Sequence, residues 1–71
     1  MLLRYTDHAR ERMNQRGITD REINQTLVRY DSITETRGAY VVSRKLANKL
    51  IHKVVMVEEN GQILILTTYH R

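Results

Sequence analysis

Leu50-Ile51-His52-Lys53-Val54-Val55-Met56-Val57-Glu58-Glu59-Asn60-Gly61-Gln62-Ile63-Leu64-Ile65-Leu66-Thr67-Thr68-Tyr69 reads as two strands, Leu50–Glu58 and Gln62–Tyr69, joined by Asn-Gly. β-Branched and large apolar side chains fill both runs. Asn-Gly between them supplies the two successive positive φ angles of a type I′ turn. The turn dictates a register: Val57 is expected to face Leu64, Val55 Leu66, Val54 Thr67 and His52 Tyr69. One sheet face then carries Val55, Val57, Leu64 and Leu66. The other carries Val54, Met56, Ile63 and Ile65, and runs on into His52, Thr67 and Tyr69. Both faces are apolar near the turn, more than two amphipathic helices need on one side. The sheet is therefore curled, or one face meets a partner chain. The polar end of the hairpin, away from the turn, is where a site is expected.

Upstream, Ile33–Thr36 and Tyr40–Lys45 read as shorter strands on either side of a turn at Gly38. Before them the apolar period is helical. Helix one is expected to start at the N-cap Thr6 and to stop at Gly17, the residue type that closes helices in the left-handed conformation. Helix two opens on Thr19 and Glu22, a T-x-x-E capping box, with Ile18 and Ile23 at the hydrophobic-staple positions. Ile23, Leu27 and Tyr30 follow at helical spacing as its buried stripe. The fold expected over residues 1–71 is a single α+β domain, two N-terminal helices packed on a three- to four-stranded antiparallel sheet.

Composition narrows the function. The chain has 71 residues, no cysteine and no proline. Disulfide frameworks and thiolate metal sites are excluded, and a reducing cytoplasm is the expected location. Three histidines without a supporting spacing give no metal site, and no cofactor is implied. No run approaches the roughly 20 apolar residues of a membrane span. The opening Met1-Leu2-Leu3-Arg4-Tyr5 turns polar too soon for a signal peptide. The net charge of +4 favours an acidic partner. Residues 38–57 hold Arg44, Lys45, Lys49 and Lys53 with no acid among them, a basic stretch suited to an RNA backbone.

His8, Arg12 and Arg16 stand four residues apart on helix one, so they share one helical face. An imidazole titrates near neutral pH, and guanidinium groups hold phosphate oxygens through a planar fork. The pattern His-Ala-x-x-Arg-Met-x-x-Arg-Gly-Ile-Thr over residues 8–19, with a closing strand ending Thr67-Thr68-Tyr69, resembles a small bacterial family of domains of unknown function. That family is similar to the RelE/ParE-like toxins, within a wider group of metal-independent ribonucleases that includes barnase and a colicin nuclease. The resemblance implies RNA cleavage or binding, with His8, Arg12, Arg16, Thr67 and Tyr69 at the site. It also implies RNA and an antitoxin protein as partners. This chain lacks the lysine- and arginine-rich C-terminal end of ribosome-dependent toxins.

In such chemistry His8 would move the proton of a 2′-hydroxyl, and Arg12 and Arg16 would balance charge on phosphorus. Thr67 would donate a hydrogen bond, and Tyr69 would stack on a base. Each residue has a plainer role open to it. His8 can face solvent, and the arginine stems can cover core while their heads meet helix-two carboxylates. Tyr69 and His52 can be an ordinary cross-strand pair, and the lysines can blunt an edge strand. A non-catalytic binding module of the same fold, or a homodimer formed through the doubly apolar hairpin, is the alternative.

Overall fold

The computed structural model of the protein describes residues 2–47 and 51–70, and of Ile51 only the backbone. Along the chain run β1 (Leu3–Tyr5), α1 (Asp7–Arg16), α2 (Asp20–Val28), β2 (Ser32–Thr36), β3 (Ala39–Lys45), β4 (Ile51–Glu59) and β5 (Gln62–His70). The strands form one sheet in the order β1-β5-β4-β3-β2. It is mixed, because β1 runs parallel to β5 while the other three pairings are antiparallel. The sheet thus has five strands where three or four were expected. The strand missed in the sequence is β1, whose three residues, apolar-polar-apolar, are too few for a periodicity to register.

Local chemistry sets the helix limits. The Thr6 hydroxyl accepts from the backbone N–H of Ala9 at 3.0 Å, and Gly17 closes α1 at φ 66°. The capping box of α2 is complete: Glu22 N–H donates to the Thr19 hydroxyl, and Thr19 N–H to the Glu22 carboxylate. Ile18 and Ile23 are both buried. Tyr30 does not continue the α2 stripe; the helix ends at Val28, and Tyr30 is exposed beyond it. Thr26, one turn earlier, is buried beside Ile23 on that face.

Both helices lie on one side of the sheet. Ala9, Met13, Ile18 and Ile23 pack with Val54 and Ile65, and Tyr5, Leu27, Met56 and Ile63 border them. The face bearing Val54, Met56, Ile63 and Ile65 is therefore the covered one. Val55, Val57, Leu64 and Leu66 line the helix-free face. Arg10 joins the helices at their surface: it lies 3.9 Å over the Tyr5 ring and 2.6 Å from the Asp20 carboxylate.

The Asn60-Gly61 turn forms as expected, with φ of 51° and 74°. Val57 faces Leu64, and then the register slips. Met56 pairs with Ile65 but Val55 pairs with Thr67, so Leu66 is one residue extra on β5. Such a bulge re-aims every side chain beyond it. Its position follows from the entry to α1. Thr6 N–H donates to the Ile65 carbonyl at 3.1 Å, and the Thr6 hydroxyl to the Leu66 carbonyl at 2.9 Å, drawing both toward the helix cap. The expected pairs Val55–Leu66, Val54–Thr67 and His52–Tyr69 are corrected to Val55–Thr67, Val54–Thr68 and His52–His70.

Candidate functional site

The bulge divides the residues expected to form one pocket. Beyond it, Thr68 and His70 turn to the helix side, and Thr67 and Tyr69 turn to the helix-free face. His8 and Arg16 are exposed on α1, and Arg12 is half-buried with its guanidinium 2.8 Å from the Gln15 side-chain oxygen. The helix row His8–Arg12–Arg16 and the pair Thr67–Tyr69 thus lie on different layers of the molecule. Of the basic stretch, Arg44 is cross-strand neighbour to His52 on the helix side, whereas Lys45 and Lys53 lie on the helix-free face. Lys49 lies outside the described residues.

What the fold does assemble is the helix-free face. Lys53 pairs with Tyr69 across β4 and β5, and its ammonium stands 5.9 Å from the ring centroid. Ser43 is the other neighbour of Lys53, and Lys45 follows two residues later on β3. Arg4, opposite Leu64 on the β1 edge, alternates out of the core occupied by Leu3 and Tyr5. A hollow of about 530 Å³, lined by Asp31, Ser32, Ser43, Lys45, Leu46 and Ala47, opens at the polar end of this face. Asp31, whose carboxylate accepts from the Lys45 backbone N–H, is the acid that lines it; Glu59 stands at the opposite end, beside the hairpin turn. Cations, hydroxyls and one aromatic ring on an open sheet form a surface that can hold phosphates and stack a base.

The helix side of the same end holds a buried polar cluster. His52 is 1 % exposed, with Nδ1 2.8 Å from the Thr26 hydroxyl of α2 and Nε2 2.8 Å from the Thr68 hydroxyl of β5. Each hydroxyl also reaches a backbone carbonyl, Thr26 that of Glu22 at 2.8 Å and Thr68 that of Lys53 at 2.9 Å. Each threonine has one proton to give. If both protons go to carbonyls, both ring nitrogens must carry hydrogen and the ring is charged. Burial opposes that charge, as do the nearby His70 and Arg44, while Glu22 favours it; the balance lowers the His52 pKa to about 4. The ring is therefore neutral at physiological pH, and one threonine turns its proton from its carbonyl to the bare nitrogen. His70 packs edge-on to His52 with centroids 5.0 Å apart, and its Nε2 is buried without a partner.

A base whose folded pKa lies below its unfolded value opposes folding only where the unfolded chain takes up a proton. The His52 contribution is thus fully present above about pH 6.5 and is lost as pH falls toward about 4. Imidazole ¹⁵N spectra at neutral pH should show one protonated and one bare nitrogen on His52. Two protonated nitrogens at that pH would contradict the assignment. The sequence carried half of this signal: His52 continues the covered alternation of Val54 and Met56. Thr68 could not be placed without the bulge.

The geometry defines a small α+β domain with one helix-covered sheet face and one open, basic face. The chain belongs to a family described as a domain of unknown function (DUF4258), whose family model matches residues 5–70. No curated protein and no solved structure matches it. No helix among the described residues is long and apolar enough to cross a membrane.

Proposed function

We propose that the protein binds RNA on the helix-free face of its sheet, as the RNA-contacting domain of a bacterial toxin-antitoxin type system resembling the RelE/ParE toxins. The observation that carries this reading is the grouping of Lys45, Lys53, Thr67 and Tyr69 on one uncovered face, with Arg4 at its edge. Lysines there meet phosphates, and the Tyr69 ring offers a base a stacking surface whatever its identity. Three phosphate contacts by Arg4, Lys45 and Lys53 give log K against log salt a slope of about −2 for single strands. Fluorescence anisotropy with a labelled single-stranded RNA, repeated over a salt series, measures both affinity and slope. Binding that ignores salt would refute the electrostatic part of the reading.

Metal-independent cleavage is the second reading. It is favoured by the exposed His8 in the first turn of α1, one turn before Arg12. His8 as acid or base, with Arg12 and Arg16 on the phosphate, would act on RNA that reaches across the β1 edge. Total RNA incubated with the protein in a chelator should then yield discrete products. His8→Ala should abolish them while leaving the melting temperature within a few degrees. RNA that binds and stays intact would leave the binding reading alone.

A further inference from the structure

We infer that β2 is the dimerisation edge of the protein, pairing antiparallel with β2 of a second copy across a two-fold axis at Thr34. The inference does not depend on RNA binding. β2 is the outer strand of the sheet, and all five of its residues are exposed. The opposite edge, β1, has only three residues and passes directly into α1. β2 is weakly protected as an edge: Ser32-Ile33-Thr34-Glu35-Thr36 has no proline and no lysine, Glu35 is its one charge, and three of its residues are β-branched.

Its backbone polarity is fixed by its hairpin. β2 and β3 are joined by the two-residue turn Arg37-Gly38, with φ of 53° and 80°. In such a hairpin the closing pair, Thr36 with Ala39, exchanges both hydrogen bonds, and every second pair does the same. Thr36, Thr34 and Ser32 therefore point their backbone groups toward β3. Ile33 and Glu35 point theirs to the open edge. Two copies related by a two-fold axis at Thr34 place Ile33 of each opposite Glu35 of the other, so these free groups exchange four hydrogen bonds. No shift of register is needed.

Side chains agree with this pairing. Four large apolar residues are exposed among those described; Ile33 lies on β2, Tyr30 on the segment leading into it, and Val28 at the end of α2. Continued past the strand ends, the same register brings Asp31 of each copy toward Arg37 of its partner. These are two opposite charges related by symmetry. An axis perpendicular to the sheet keeps the two helix-free faces on the same side, one continuous basic surface.

The chain has no cysteine, so one can be introduced cleanly. On the axis, Thr34 faces its own symmetry mate in a non-hydrogen-bonded pair with Cα atoms about 4.5 Å apart, within the range a disulfide spans. Thr34→Cys should form a disulfide-linked dimer under mild oxidation, whereas Thr36→Cys, which would face Ser32, should form no covalent link. Light scattering of the unmodified chain over a concentration series should give twice the chain mass. Glu35→Pro removes an outward N–H without touching the β2–β3 ladder. It should give the monomer mass with an unchanged circular dichroism spectrum. A chain that stays monomeric at millimolar concentration would overturn the inference. So would a dimer that Thr34→Cys fails to link, or one that Glu35→Pro leaves intact.

Discussion

Lys53→Glu combined with Tyr69→Ala is expected to weaken binding of single-stranded RNA by about 100-fold. Loss of one base stack costs about 1–3 kcal/mol. Exchanging a phosphate-contacting cation for an anion adds on the order of 1 kcal/mol and flattens the salt dependence by about one unit of slope. The two residues are cross-strand neighbours with the ammonium 5.9 Å from the ring, so their single effects should not sum. Neither side chain belongs to the helix-covered core, so the pair should leave thermal stability nearly unchanged. The helix row supplies the contrast. His8→Ala with Arg16→Ala, both at exposed positions on α1, should alter affinity much less. Anisotropy titrations of the two double variants at one salt concentration make the comparison. Equal losses would place RNA across both layers.

Ile23→Ala is expected to destabilise the fold by about 2–5 kcal/mol, through lost burial and the cavity left behind. Ile23 is fully buried where α2 meets Ala9, Met13, Ile18, Val54 and Ile65. A chain of this length has a total stability of about 4–11 kcal/mol, so one substitution can remove half of it. At about 4–8 °C per kcal/mol, the melting temperature should fall by some tens of degrees or the variant should not fold. Val57→Ala, on the helix-free face, should shift melting by far less despite its similar strand position. Thermal denaturation of the two variants side by side tests which face the helices cover. A larger loss at Val57 would contradict the assignment.

How much of this could be read from the chain depends on whether the cause was local. The helix caps at Thr6, Gly17 and Thr19, and the Asn60-Gly61 turn, are set by a few adjacent residues, and they stand where the sequence put them. So does the pair Val57–Leu64, two residues from the turn. The bulge at Leu66 was not legible, because its partner Thr6 lies 60 positions away in the chain. That one residue moved Thr67 and Tyr69 off the face of His52, and with them half of the expected pocket. It also brought Thr68 to the imidazole. The short β1 was missed for a related reason: three residues become a strand only because β5 offers them a parallel edge.

RNA lying on the open sheet face, and not along the first helix, is the claim on which the functional reading turns. The most direct measurement is an NMR titration of the labelled protein with a short single-stranded RNA, following backbone and side-chain signals together. The account predicts that the largest shifts fall on Lys45, Lys53, Thr67 and Tyr69, with Arg4 at their border. Shifts confined to His8, Arg12 and Arg16, with those strand signals unmoved, would contradict it.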